Sequence, residues 1–275
     1  MGYSRQHVYK QQKTQSDEIK KMQVVKELVD RERKLLPRLG TRKIYYLIKA
    51  DLDRLRLRFG RDKLFTLMAE HDLLIKPRRR YTTTTMSKHW LRKWPNLIKD
   101  LEITYPDQVW VSDITYLKTR EGNCYLNMVT DMYSRRIMGN AIADNMGTES
   151  MIEAFKMATK QRYSPSVATI HHSDRGLQYC SKDYVAMAVD NNISLSMTEN
   201  GDPYENALAE RMNRTIKEEF GMDGTLRTKE YARILVKESI DLYNHKRPHL
   251  ALNMKTPDNV YKTKSRSQKA TEIYS

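Results

Sequence analysis

Apolar and polar positions recur along the chain with two different periods, and the change of period divides it. Over residues 19–36, Ile19, Met22, Val25, Leu28, Val29 and Leu36 fall near helical spacing, and Pro37 and Gly40 close the stretch. The same period predicts helices over 41–52, with Ile44, Leu47 and Ile48 inward, and over 61–71, with Leu64, Leu67 and Met68 inward, on either side of Gly60. From residue 108 the period falls to two. QVWVSDITYLKT places Val109, Val111, Asp113, Thr115 and Leu117 on one face of a strand and Trp110, Ser112, Ile114 and Tyr116 on the other. A turn at 121–123 leads into CYLNMVTDMYS and RIMGNAIAD, which complete an antiparallel meander of three strands. Then follow a helix over 148–161, a short strand in VATIHHSD, a helix over 181–191, a strand in ISLSM, and helices over 203–220 and 228–244. This order predicts an α/β fold, a mixed five-stranded sheet with helices on both faces, preceded by an all-α region.

Charge sharpens the division. The 275 residues carry 49 Lys+Arg against 34 Asp+Glu, a formal charge of +15. Residues 1–100 hold 26 basic and 11 acidic residues and residues 101–275 hold 23 of each, so the whole excess sits in the helical part. Such asymmetry points to a polyanion partner. Two short helices about a turn, basic on their outer faces, suggest a helix-turn-helix; an ordinary helical hairpin with a solvated face reads alike. The density of Arg42, Lys43, Arg54, Arg56, Arg58, Arg61 and Lys63, followed by Arg78, Arg79 and Arg80, favours DNA, because phosphate neutralisation supplies most non-specific affinity. Residues 76–100 read as a basic linker, with Trp90 and Trp94 spaced to share one helical face.

Composition also excludes. No apolar run approaches the roughly 20 residues that a bilayer span needs, and residues 1–30 lack the apolar core of a secretory signal. With only Cys124 and Cys180 a disulfide framework is excluded and a cytoplasmic setting favoured. Seven histidines without a CxxC pair argue against a zinc finger.

Three carboxylates are the candidates for chemistry. Asp113 stands in an otherwise apolar strand, where an unpaired charge is costly unless a metal or a partner compensates it; a helix cap or an arginine partner would also account for it. Asp174, in HHSDRGLQY, falls at the carboxyl edge where α/β sheets place their sites, although taken alone it reads as a turn aspartate. Glu210 lies on a helix whose start is signalled by Asp202, Pro203 and Glu205 at the N-cap, N1 and N3 positions. Leu208, Met212, Ile216 and Phe220 form that helix's apolar face, and Glu210, Arg214 and Lys217 share the opposite one, a solvated charge stripe if nothing else. Together the three are more specific. Two Mg²⁺ ions can activate the attacking oxygen and stabilise the leaving one in a phosphoryl displacement, and hard carboxylate ligands suit Mg²⁺.

Asp113 and Asp174 have 60 residues between them, and Asp174 and Glu210 have 35. That spacing, with WVSDITYL, DMYSRRIMG, HHSDRGLQY, DPYENALAERMNRTIKEE and YNHKRPHLALNMKTPDNVY in order, resembles the DDE recombinases. Within them the chain is most similar to the second-frame transposases of the insertion-sequence-three family, over residues 37–262. The resemblance implies a ribonuclease H-like, retroviral-integrase-like core. It implies a metal-dependent enzyme that cleaves 3′ ends at an insertion sequence and transfers the strand to target DNA by a copy-out route. Asp113 would bridge two Mg²⁺ ions, for which Mn²⁺ can substitute, with Asp174 and Glu210 each serving one. Water would be the nucleophile for cleavage and a freed 3′-OH for transfer. The zinc-binding His/Cys domain that precedes retroviral integrase cores is not among these motifs, so that branch fits less well.

The same resemblance sets Arg214 and Lys217 against the terminal DNA. Asn206 reads as a substrate contact or a stabiliser of the helix start. His171 and His172 read as a pair of which one packs and the other, His172, is solvated and can approach the scissile phosphate. Gln178 and Tyr179 are candidates to line the DNA groove. Tyr243, Asn244, Arg247, Pro248 and His249 match the family's C-terminal signature, expected mainly to brace the core, with Arg247 a candidate for phosphate. The expected organisation is a helix-turn-helix-like DNA-binding region at 1–75, a basic linker at 76–104, the catalytic core at 105–225 and a bracing helix and tail at 226–275. Expected partners are element ends and target DNA, a second copy of the chain or more when DNA is bound, and a first-reading-frame protein, with no membrane, in the nucleoid-associated cytoplasm of a bacterium. The rival reading is a non-catalytic DNA-binding partial product or regulator of transposition, which has no need of all three carboxylates; a nuclease for RNA:DNA hybrids would share the fold.

Overall fold

The computed structural model describes residues 5–76, 94–165, 168–199 and 206–264, with side chains from residue 16 onward in the first helix. Arg78, Arg79, Arg80 and Trp90 of the linker, and Asp202, Pro203 and Glu205 of the helix start, lie outside the described residues. The chain divides into two compact units, Met1–Arg79 and Arg80–Ser275.

The first unit is built from three helices, α1 (Arg5–Leu35), α2 (Thr41–Arg54) and α3 (Arg61–Glu70). Val25, Val29, Ile44, Ile48, Leu64, Leu67 and Met68 are buried between them, as the helical periodicity requires. The first helix begins much earlier than its apolar stripe, at Arg5, and Ile19 is exposed rather than inward. Several of the basic residues are engaged within the unit. Arg31 and Arg54 both donate to Asp51, at 2.5 and 2.6 Å, Arg61 pairs with Asp62, and Lys63 with Glu18. Arg42, Arg56 and Arg58 are exposed.

The second unit is the mixed sheet. Strands β1 (Val109–Thr119), β2 (Gly122–Asp131) and β3 (Ile137–Ala143) form the antiparallel meander. After helix α4 (Thr148–Gln161), β4 (Thr169–Ser173) returns parallel to β1, and after α5 (Lys182–Asp190), β5 (Ile193–Met197) pairs parallel to β4. The order is β3-β2-β1-β4-β5, the ribonuclease H-like arrangement. Two further helices follow, α6 (Ala207–Glu219) and α7 (Lys229–His245).

Alternation along β1 decides what each face meets. Trp110 packs with Phe155 of α4 and Tyr184 of α5 in the main core, whereas Val109 and Val111 pack with Ala209 of α6 on the other face. Helix α4 lies so close to β3 that a Cβ on Gly139 would stand 1.9 Å from the Ala154 carbonyl oxygen, which leaves glycine as the only residue that fits. Behind the sheet, Asp107 accepts from Trp110 Nε1 (2.9 Å) and the Tyr261 hydroxyl (2.6 Å), and Asp131 accepts from the Asp107 and Ser134 N–H groups (2.7 Å each).

The α7 signature is absorbed in packing. The Asn244 side chain accepts from the Ile137 N–H (2.9 Å) and donates to the Ile137 carbonyl (3.0 Å), extending β3 by a side-chain pair. Tyr243 donates to the Arg135 carbonyl at 3.0 Å. Arg247, 5% exposed, makes a two-pronged contact with Glu219 at the end of α6, at 2.5 and 2.7 Å.

Candidate active site

Three elements bring the carboxylates to one edge of the sheet. Ser112 of β1 and Ser173 of β4 are register partners in a parallel pair, so Asp113 and Asp174 follow side by side where β4 ends. Glu210 is in the first turn of α6, which lies across β1 on the Asp113 face. Asp174 is held in its turn by the Gly176 N–H, which donates to Oδ1 at 3.1 Å, and the next residue, Arg175, is tied to the Thr198 carbonyl beyond β5 at 2.7 Å.

Electrostatics links the three acids. Burial raises the Asp113 carboxyl, and the charges of Asp174 and then Glu210 add to the rise, while Asn213 and the Ile114 N–H oppose it; the outcome is a pKa of about 7. A carboxyl in that condition is a group whose charge lacks a counter-charge. Among the described residues no three His, Cys, Asp or Glu side chains converge tightly enough to enclose a metal ion as they stand. The donor set nevertheless suits a hard divalent cation, being all carboxylate oxygen, and Glu210 is an exposed side chain.

The residues around this edge differ from expectation in several places. Among the described residues helix α6 runs from Ala207, with Asn206 at its N-cap. Its buried stripe is Ala209, Met212, Asn213, Ile216 and Phe220, with Leu208 only half-buried, so the helix is rotated from the face drawn on apolarity alone. Asn206 is buried and donates to the Ser112 carbonyl at 3.2 Å, an internal contact rather than a DNA contact. Arg214 is exposed, as expected. Lys217 is half-buried: its ammonium donates to Thr115 Oγ1 (3.3 Å) and the Tyr116 carbonyl (3.0 Å) and lies over the Tyr116 ring, and burial pushes its pKa down.

His171 and His172 are both buried, which removes His172 as a solvated approach to the scissile phosphate. Alternate residues of a strand with helices or neighbouring strands on both sides have no free face. His172 Nδ1 pairs with Ser196 Oγ at 2.8 Å. His171 pairs with Ser112 Oγ at 2.6 Å and the Tyr184 hydroxyl at 3.1 Å, and burial drives its pKa down to about 3, so the ring is neutral. Gln178 is half-buried and donates to the Met146 carbonyl, and Tyr179 is buried. Arg247 is likewise turned inward, to Glu219, and so is not a phosphate contact in this arrangement.

One residue in contact with Asp113 escaped sequence reasoning. Asn213 Nδ2 donates to Asp113 Oδ2 at 2.8 Å. The available signal was a lone amide inside the stripe of Ala209, Met212, Ile216 and Phe220, which an apolar wheel discards.

Comparison with known proteins bears on the family of the chain. Residues 104–203 match one family described as Integrase core domain, and residues 191–257 match a second of the same description. The chain is 36% identical over 200 residues to the insertion element IS600 uncharacterized 31 kDa protein of Shigella sonnei, covering 72% of this chain and 73% of that one. It is 34% identical over 185 residues to the transposase for insertion sequence element IS904 of Lactococcus lactis, covering 65% of this chain and 73% of that one. Against transposase InsF for insertion sequence IS3A of Escherichia coli K12 it is 34% identical over 179 residues, covering 64% and 62%.

Proposed function

The chain belongs to the insertion-sequence-three family of DDE transposases, and on that premise we propose that it cleaves the 3′ ends of its element and joins them to target DNA with Asp113, Asp174 and Glu210 as ligands of two Mg²⁺ ions. The class is that of a polynucleotidyl transferase acting in DNA transposition. The observation that supports the residue assignment is that acids of three separate elements converge: the parallel register of Ser112 and Ser173 sets Asp113 beside Asp174, and α6, which carries Glu210, is fastened to Asp113 through Asn213. Cations held there supply Lewis acidity to the reacting phosphate and its attacking and leaving oxygens; Mn²⁺ is expected to substitute.

The protein's own residues bind and orient. Asp113 is anchored in the central strand and Asp174 in a turn braced on β5, so two of the ligands move with the sheet. Glu210 and Arg214 project from the exposed face of α6. Arg214 and the part-exposed Lys217 offer positive charge beside the acids, which a DNA backbone needs in order to approach them. Gln178, four residues beyond Asp174, is a further candidate to meet the DNA. In the first unit Arg42, Arg56 and Arg58 hold DNA without base preference, assisted by Lys43, Arg54, Arg61 and Lys63, and by Arg78, Arg79 and Arg80 of the linker. Transposases act on DNA and oligomerise; joining two ends requires at least two copies here, with a first-reading-frame protein as a further partner. No helix among the described residues is long and apolar enough to cross a membrane, and the proposed location is the bacterial cytoplasm, on the nucleoid.

The test is nicking of a labelled element end in Mg²⁺ or Mn²⁺ by wild type and by Asp174→Asn. Wild type is expected to cut and the variant to fall to background while still binding the end. A wild type that binds the end and cuts in neither metal would overturn the enzymatic reading in favour of a DNA-binding regulator.

A further inference from the structure

Helix α6 is fastened to β1 by polar side chains as well as by apolar packing. Asn206 reaches the Ser112 carbonyl, Asn213 the Asp113 carboxylate, and Lys217 reaches Thr115 Oγ1 and the Tyr116 carbonyl. From residue 206 to 217 a helix rises about 16 Å, and from 112 to 116 a strand rises about 13 Å. The contacts tie α6 at three points to the 112–116 stretch of β1 that it crosses.

The middle contact of the three falls on the central acid. Asp113 Oδ1 accepts from the Ile114 N–H at 2.9 Å and Oδ2 from Asn213 at 2.8 Å. An ionised carboxylate has about four lone-pair sites, so one on each oxygen is spent on a donor and one on each is left. Because one donor belongs to β1 and the other to α6, the plane of the carboxylate is set against both elements at once. We infer that Asn213 is a positioning residue that holds the Asp113 carboxylate in the orientation required for cation ligation. The inference rests on the reading of Asp113 as a metal ligand.

The residue type supports the role. A neutral amide pins an oxygen without setting a positive charge against an arriving cation, as lysine or arginine would. Packing alone does not call for it: Ala209 and Ile216 fill the same stripe without a polar group. Asn213 is 6% exposed, and its Oδ1 is buried with no partner among the described residues. A buried acceptor in that state costs free energy, a cost that stands out against the rule that buried polar groups are paired.

The full chain is compared as wild type, Asn213→Ala and Asn213→Leu, the last keeping the approximate volume of the side chain and removing its donor without adding a charge. Two quantities are measured: the Mg²⁺ concentration for half-maximal nicking of a labelled end, and the dissociation constant for Mn²⁺ alone by calorimetry without DNA. Both are expected to rise about 10- to 100-fold in each variant, the range seen when partners behind metal ligands are removed. The unfolding midpoint and the affinity for the uncut end in EDTA are expected to match wild type. A merely structural role would lower the midpoint and leave the metal dependence where it was, and unchanged metal dependence in either folded variant overturns the inference. If Asn213→Ala does not fold, Asn213→Leu decides. A wild type that neither cuts nor binds Mn²⁺ brings down the proposed function itself; a wild type that cuts and depends on Asp174, beside Asn213 variants with unaltered metal dependence, brings down this inference alone.

Discussion

Two sets of acids withdrawn from solvent in the sheet unit are treated differently. At the proposed site Asp113 is flanked by other carboxylates and a single amide, an arrangement that a cation would complete. Behind the sheet Asp107 and Asp131 are surrounded by donors, yet burial, and for Asp131 the charge of Asp107 next, raises both, Asp131 to about 7. An unfolded aspartate loses its proton near 4. Between that value and 7 the folded state therefore binds more protons than the unfolded state, and stability from this pair is present at low pH and lost as pH rises through 7. The urea midpoint is expected to fall between pH 5 and pH 8. Asp131→Asn is expected to give a lower but flatter profile, and an equally steep one would show that other groups set the slope. Single residues also mark how far the sequence could be read. Asp113, Asp174 and Glu210 announce themselves by type and spacing, whereas Asn213 has no charge and is only a lone amide within the buried stripe of α6. His172 and Arg247 looked available because their residue types often are; the sheet and Glu219 take them inward.

At the scale of elements, the strands and helices follow local pattern closely. The two-residue period of β1 and the helical stripes of α2, α3 and α4 depend on neighbours within a turn or a pleat, so they are present in the sequence itself. The rotation of α6 is not. A helical wheel gives angles between side chains but no absolute direction, and the choice of Ala209, Met212, Asn213, Ile216 and Phe220 as the buried stripe is made by the surface of β1. The seating of α4 on β3 is equally a matter of fit. At Gly139 an added Cβ would meet Ala154 O at 1.9 Å and Ala158 N at 2.8 Å, both backbone atoms that cannot swing aside. Gly139→Ala is expected to destabilise the core by about 1–3 kcal/mol, the usual cost of overpacking, measured by chemical denaturation. A variant as stable as wild type would mean that α4 is not seated as closely as described.

For the whole molecule, charge and fold divide the labour. The net charge of +15 belongs entirely to residues 1–100, while residues 101–275, neutral in sum, concentrate acids at one edge of the sheet. Within the first unit the arginines are not equivalent. Arg42, Arg56 and Arg58 are exposed, whereas Arg54, Arg61 and Lys63 face Asp51, Asp62 and Glu18. Replacing the first three with alanine is expected to weaken DNA binding on any sequence and to lessen the slope of log affinity against log salt by up to about 0.9 for each phosphate no longer neutralised. Replacing the second three should change it less, and the reverse ranking would show that those ion pairs open to DNA. The order of strands and helices, the basic first third, and three carboxylates at a telling separation were all determined by the sequence alone, because each depends on residue type and on distance along the chain. Only the tertiary structure decided which face of α6 meets β1, that His172 and Arg247 are spent inside the protein, and that Asn213 holds Asp113. Those outcomes rest on pairings such as the one between residues 113 and 213, 100 positions apart, and no local pattern carries the position of a partner so distant until the chain has folded.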